Sequence, residues 1–273
     1  MTMGKVSAAE LDEVSSTLLT PLYGRAYGQR FAPKARFTDP MAAQLLQAVA
    51  FDDSRVLSDR SNSGGTIWRS LVLDRLTVAF ARRHDRPAIV TVGVGLCTRL
   101  YRLAGQVPDS ASWVGIDSPE VIDIRRRLLP DEPMTLGAAS ATEPGWLDTF
   151  DLAGRPVLLI AEGVIMYFGA AGLRIFLTEA LRAGSGTELV ADYFHPRIAH
   201  SDRHPIVKAT GARFRSGARD GAALAHLVPG WALVDEHPAM ERISPAHRLA
   251  ATAFRLASLG GRPYAVAHLR AAP

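Results

Sequence analysis

Between Ile89 and Asp117 the chain reads strand, glycine loop, helix, strand, acid, and no other stretch restricts the fold as much. Ala88-Ile89-Val90-Thr91-Val92 is an apolar run of strand length, and Gly93-Val94-Gly95-Leu96-Cys97-Thr98-Arg99 follows it. A helical pattern leads to a second apolar run, Trp113-Val114-Gly115-Ile116, which stops at Asp117. This is the front half of a nucleotide-binding α/β unit. Glycines let the backbone approach a ligand at a helix N-terminus. An acid at the tip of the next strand accepts hydrogen bonds from ribose hydroxyls.

The rest of the chain extends this unit. Upstream, Ser15-Ser16-Thr17 or Pro21 opens a helix through Leu22 and Tyr23, and Asp39-Pro40 caps another that carries Ala42, Leu45, Leu46 and Val49. Ser61-Asn62-Ser63-Gly64-Gly65 reads as a loop by composition, and Ile67 to Phe80 as an amphipathic helix. Downstream, Ser118-Pro119-Glu120 starts a helix to about Leu129, Met134–Ala139 is a weak third strand, and Val157–Ala161 is a continuous apolar run suited to a central parallel strand. A helix over 169–181, a fifth strand over 188–193, a loop or lid over 195–220, a strand at 231–235, a helix over 245–259 and a final strand at 263–269 complete the pattern. The alternation predicts one doubly wound α/β sheet with helices on both faces. Its parts are a helical N-terminal cover (1–80), a ligand-binding core (87–194), a lid (195–230) and a sheet-completing end (231–273).

Composition narrows the class. With 48% hydrophobic and 21% charged residues among 273, a sizeable core is expected. The single Cys97 excludes internal disulfides and places the protein in a reducing, cytoplasmic setting. The longest apolar run, 157–168, contains Glu162 and is too short for a bilayer, and the first residues lack a signal core. Net charge is +4, carried almost wholly by arginine. Only Arg125-Arg126-Arg127 clusters, on a helix where it reads as a solvated face, so a nucleic-acid partner is not expected. His195, His200 and His204 match no zinc spacing and have no cysteine partner, so no metal is expected.

The loop lacks the third glycine of a dinucleotide fingerprint, since Thr98 and its neighbours occupy that place. This favours a mononucleoside-type cofactor such as S-adenosylmethionine over NAD; a glycine turn that binds nothing is the plain alternative. Gly93-Val94-Gly95-Leu96-Cys97-Thr98-Arg99-Leu100-Tyr101-Arg102 resembles the GxGLDTRxYR segment of leucine carboxyl methyltransferase-like enzymes, in the polyketide O-methyltransferase clade typified by the tetracenomycin carboxyl methylase. Leu18–Ala26, Phe37–Ala42, Trp113–Val121 and Ala161–Phe168 (with Glu162-Gly163-Val164-Ile165-Met166-Tyr167) resemble further segments of that clade, in order. The resemblance covers about residues 15–195. The family's acid in this loop is Cys97 here.

The resemblance implies a class I S-adenosylmethionine-dependent methyltransferase fold, Rossmann-like, with sheet order 3-2-1-4-5-7-6 and strand seven antiparallel. It also implies positions for the cofactor. Arg69, helped by Arg25, would pair with the methionine carboxylate. Gly93, Val94, Gly95 and Thr98 would form the loop, and Asp117 with Ser118 would take the ribose. Ala139 and Ser140 would lie near the adenine, and Glu162 and Gly163 would contact the cofactor from strand four. The expected reaction is O-methylation of a carboxylate or phenol on a small polyketide-type natural product. A carboxylate needs no base, whereas a phenol would gain from one, for which His195 is the nearest histidine, with Tyr193 beside it. A rival keeps the fold and loses methyl transfer, folding a natural-product intermediate for cyclisation or rearrangement. RNA methylation and protein carboxyl methylation are the remaining alternatives. Oligomeric state is not legible.

Overall fold

In the computed structural model of the chain, which describes residues 6–7, 18–50, 60–184, 186–201 and 213–272, seven strands form one mixed sheet. These are β1 (Ala88–Val92), β2 (Ser112–Asp117), β3 (Thr135–Ala138), β4 (Val157–Ala161), β5 (Glu188–Phe194), β6 (Trp231–Pro238) and β7 (Tyr264–Ala271). They lie in the order β3-β2-β1-β4-β5-β7-β6. The first five in the sheet are parallel, and β7 is antiparallel to both β5 and β6. This is the expected order, with the terminal strand reversed as expected. A separate two-residue parallel pair joins Val6–Ser7 to Val49–Ala50.

Period-two alternation assigns the core to two faces. Val90, Val92, Leu159, Leu189 and Ala191 point to the side covered by α5 (Ala170–Leu181), through Leu173, Phe176 and Leu177. Ile89, Leu158, Ile160 and Val190 point to the other side, against Val72, Leu73 and Phe80 of α3 (Arg60–Arg82). All five residues of β1 and of β4 are buried, which is why both read as unbroken apolar runs. A third cluster joins Leu19 and Leu22 of α1 (Leu19–Ala26), Leu45 of α2 (Pro40–Ala48), Leu96, and Ile124 and Leu128 of α4 (Pro119–Leu128). The N-terminal helices thus pack onto the segment that leaves β1.

Local signals hold at several boundaries. Asp39 caps α2 by accepting from the Ala42 N–H at 3.0 Å, with Pro40 in the first turn. Other expectations change. Ser61–Gly65 is the start of α3 rather than a loop. Small residues there serve packing: a methyl on Gly24 would stand 3.5 Å from the Ser63 Cα, and Ile243 sits against Gly64 and Gly65. Tertiary contact outweighs the local preference of such a sequence. The helix after the glycine loop is one turn, Arg99–Arg102, and the chain then turns through Gly105 at φ +74°. Ser15–Thr17 and His204 lie outside the described residues.

At the end of the sheet opposite the glycine loop, Glu188 opens β5 and is almost fully buried. Both its oxygens accept from Arg83 Nη2 at 2.9 Å, Arg270 Nη2 donates at 2.8 Å, and His268 Nε2 lies 2.8 Å away. Burial opposes the carboxylate charge, but bonds from His268 and Arg270 and the charge of Arg83 outweigh it and hold the pKa at about 2, below the ordinary 4.5. A carboxyl depressed in the folded state stabilises the fold above its unfolded value and loses that contribution as pH falls. Urea unfolding followed from pH 6 downward is therefore expected to show stability lost between about pH 4.5 and 2. Glu188→Gln should flatten the curve within that window.

Candidate active site

Strand register brings the distant signals together. Val92 pairs with Ile116 on one side and with Ala161 on the other, and Ala161 with Ala191. The next residues along, Gly93, Asp117, Glu162 and Asp192, consequently line one carboxyl edge, the place where open α/β sheets bind ligands.

The glycine loop is shaped by its neighbours as well as by its dihedrals. Gly93 (φ +64°) and Gly95 (φ +45°) adopt left-handed conformations that favour glycine. A Cβ on Gly93 would come within 2.7 Å of Val164 Cγ2, and one on Gly95 within 2.6 Å of Leu18 Cδ2. The loop is thus pressed between the turn after β4 and the start of α1. Asp117 holds it from below: Oδ2 accepts from the Gly95 N–H at 2.8 Å and Oδ1 from the Ser118 N–H at 2.9 Å. Burial raises the Asp117 pKa, and the two backbone bonds oppose that rise. Each oxygen keeps a lone pair for a further donor. Val94 and Thr98 turn inward: Val94 is buried, and Thr98 Oγ1 donates to Asp39 Oδ2 at 2.6 Å. The Ala139 N–H bonds the Asp117 carbonyl (3.0 Å), which places Ala139 and exposed Ser140 at the flank of the loop.

Behind the loop lies a chain of buried ion pairs. Arg102 Nη1 meets Asp39 Oδ2 at 2.6 Å, and its Nε and Nη2 grip both oxygens of Asp74 at 2.7 and 2.9 Å. Arg99 Nε reaches Asp74 Oδ1 at 2.8 Å and its Nη2 reaches Glu162 Oε2 at 2.6 Å. Arg69 Nε donates to Glu162 Oε1 at 3.0 Å, and its Nη1 to Asp192 Oδ2 at 3.0 Å. With Arg25, 3.7 Å from Asp39, four guanidinium groups meet four carboxylates. Burial opposes the Glu162 charge, but Arg99, Arg69 and Arg25 overcome it and hold the carboxyl well below its usual range.

Two donors in this group are not consumed. Arg25 Nη2 donates to the Leu96 carbonyl at 2.8 Å, while its buried Nε has no hydrogen-bond partner among the described residues. Burial lowers the Arg25 pKa, with Cys97, Glu162 and Asp39 only partly offsetting it, so this guanidinium is the least compensated of the four. For Arg69, burial is overcome by Tyr264, Asp192 and Glu162, and its pKa is raised well above the ordinary value. Its Nη2 makes no hydrogen bond among the described residues. An unsatisfied buried donor is costly. The Arg69 Nη2 donor, the under-compensated charge of Arg25, the free lone pairs of Asp117 and the glycine loop together fit an anionic ligand that also carries hydroxyls. Cys97 Sγ lies 3.5 Å from Arg99 Nη1.

The structure does not bring His195 or Tyr193 to this group. His195 caps the short helix Pro196–Ala199, its Nδ1 accepting from the Arg197 N–H at 3.2 Å, and lies edge-on to Phe254. Burial and the charges of Arg197 and Arg219 lower its pKa. Tyr193 belongs to the opposite sheet face from Asp192 and donates to Glu236. Arg125 corrects the expected solvated cluster, because it is fully buried. It donates to the Gly95 and Cys97 carbonyls at 2.7 and 2.9 Å and pairs with Glu132. Its position four residues after Val121 and three before Leu128 was the available signal for the buried face. Arg99 and Arg102 stood in the segment that resembles GxGLDTRxYR without a role being assigned to them, and Asp74, Asp192 and Tyr264 carried no local signal.

Residues 19–144 match the family model of leucine carboxyl methyltransferase. The tetracenomycin polyketide synthesis O-methyltransferase TcmP of Streptomyces glaucescens is 30% identical over 233 residues, spanning 82% of this chain and 85% of that protein. The S-adenosyl-L-methionine-dependent methyltransferase dpfgK of Gibberella zeae is 29% identical over 178 residues, 60% of this chain and 58% of its own. Among solved structures, a Thermobifida fusca protein superposes with a TM-score of 0.62 at 14% identity, covering 97% of both chains. A DUF574 family protein of Streptomyces avermitilis does so at 0.56 and 18% identity, over 92% of this chain and 97% of that one.

The unequal compensation of the arginines predicts unequal mutational costs. Arg99→Met removes the guanidinium that Asp74 and Glu162 share, leaving each carboxylate with one buried arginine (Arg102 and Arg69), and should destabilise the fold by about 3–5 kcal/mol. Arg25→Met removes one buried hydrogen bond and a poorly paired charge, and should cost about 1–2 kcal/mol. Urea denaturation of the two variants checks the order; equal losses would contradict it.

Proposed function

This chain belongs to the leucine carboxyl methyltransferase family, in its polyketide O-methyltransferase clade, and from that premise we propose that it methylates an oxygen of a small polyketide-type acceptor, a carboxylate in preference to a phenol. The observation that carries the reading is the glycine loop held by Asp117, with the Arg25 guanidinium donating to Leu96 on one side and the Arg69 guanidinium against Gly163 on the other. S-adenosylmethionine, when bound, supplies a methyl group already activated by its sulfonium. Arg25 and Arg69 would hold its carboxylate, Asp117 its ribose hydroxyls, and the backbone at Gly93 and Gly95 its close approach. Ala139 and Ser140 would stand at the adenine side of that arrangement, and Glu162 and Gly163 would meet the cofactor from the turn after β4.

What the chain's residues then do is bind and orient, which supplies much of the barrier lowering in a transfer of this kind. The preference for a carboxylate is supported by the engagement of the two side chains that could have served as a base, among the described residues. His195 is occupied as a helix cap and Tyr193 is bound to Glu236. Burial first, and Glu236 second, push the Tyr193 pKa far up, so its phenol remains protonated. An acceptor carboxylate is ionised at neutral pH without assistance, whereas a phenol with a pKa of about 10 is not.

The test is incubation with S-adenosylmethionine and paired aromatic acceptors, one bearing a carboxylate and one only a phenol, read by mass spectrometry. A gain of one methyl on the carboxylate, unchanged in His195→Ala, is expected. Its rate should be nearly flat between about pH 6 and 8, since the acceptor is ionised throughout. Cofactor bound but no methylated product in either acceptor would overturn the proposal. Strong dependence on His195 would return the preference to a phenol.

A further inference from the structure

We infer that Asp192, near the end of β5, and Tyr264, at the start of the antiparallel β7, are positioning residues that aim Arg69 and the Gly163 turn at the cofactor. The inference rests on the function proposed above. Arg69 has five N–H groups in a rigid fork. Nε is taken by Glu162, and Nη1 donates both to Asp192 Oδ2 at 3.0 Å and to Tyr264 Oη at 2.9 Å. The Tyr264 hydroxyl in turn donates to Asp192 Oδ2 at 2.7 Å. The other Asp192 oxygen accepts from the Gly163 N–H at 2.5 Å. One carboxylate therefore fixes the guanidinium and the backbone turn together, and the phenol closes the ring of contacts.

Gly163 adds a steric reason for this arrangement. Its φ is +69°, and a Cβ there would lie 3.3 Å from Arg69 Nη1 and 3.4 Å from Nη2. The flat guanidinium lies against bare backbone, and Nη2 is the nitrogen with no hydrogen bond among the described residues. Asp192 is fully buried and Tyr264 nearly so, the ring stacking on Phe194 at 4.6 Å between centroids. Burial, then the carboxylate of Asp192, raises the tyrosine pKa, so the hydroxyl stays a donor. Neither side chain is among the unengaged groups, so both act through Arg69 and Gly163. A site held by such an outer layer loses binding when the layer loosens, although no ligand contact is removed.

Tyr264→Phe keeps the ring and its stacking and removes only the hydroxyl. Calorimetry with S-adenosylhomocysteine is expected to give a Kd about tenfold weaker than the parent's, because the two buried hydrogen bonds by which the hydroxyl joins Arg69 to Asp192 no longer hold the fork. The KM for S-adenosylmethionine should rise in parallel, while kcat at saturating cofactor stays within about twofold. The unfolding midpoint without ligand should fall as these buried bonds are lost, so it is the rise in KM at nearly constant kcat that separates positioning from a general loss of structure. Asp192→Asn, which keeps an oxygen for Gly163 but removes the charge facing Arg69, should weaken binding further. A Tyr264→Phe variant that binds as tightly as the parent would overturn the inference alone. A parent that binds no S-adenosylhomocysteine would overturn the cofactor reading and this inference with it.

Discussion

A buried row of alternating guanidinium and carboxylate groups, from Asp39 through Arg102, Asp74, Arg99, Glu162 and Arg69 to Asp192, is the constraint on which the rest of this molecule depends. An unpaired charge in such a place would cost several kcal/mol after relaxation, on the order of the whole stability of a domain. Each charge here is tolerable because its neighbours share it. Arginine suits that role, because one fork can reach two carboxylates at once, as Arg69 and Arg99 both do. The arginine-rich composition is thus partly structural, and the scattered, solvated side chains suggested by the sequence are only part of it.

The row also joins elements that the sheet alone would leave separate. Asp39 caps α2 in the N-terminal cover, Asp74 and Arg69 stand on α3, and Glu162 and Asp192 end or nearly end strands of the sheet. The cover is therefore bound to the core through charge at the same edge where the glycine loop lies. Apolar packing reinforces the link, with Leu19, Leu22 and Leu45 meeting Leu96 just beyond Gly95. An acid in place of Cys97, as in the resembling family segment, would add a fifth carboxylate to four arginines. With cysteine the group balances without it, and Arg25 stays under-compensated beside the loop.

Much of the fold was legible because its signals are local and periodic. Unbroken apolar runs marked β1 and β4 as central, Asp39-Pro40 marked the start of α2, the alternation marked a doubly wound sheet, and the order of its strands followed from the family resemblance. Expectations failed where neighbours outside the local window decide. Ser61–Gly65 looks like a loop until α1 and Ile243 require small residues at that face of a helix. Arg125 looks solvated within Arg125-Arg126-Arg127 until the carbonyls of Gly95 and Cys97 stand beside it. His195 looks available until the chain turns at Pro196 and takes its Nδ1 as a cap.

By itself the sequence determined the sheet, its edge, and the residues that end its strands there: glycine after β1, aspartate at the tip of β2, glutamate after β4. Those depend on apolar periodicity and on backbone conformations that glycine favours, both of which are written along the chain. Only the tertiary structure decided which charges neutralise one another. Partners such as Arg69 with Asp192 and Tyr264, 123 and 195 residues away, meet through packing that no short stretch encodes. That pairing, rather than the presence of an arginine, determines which guanidinium nitrogens remain for a ligand.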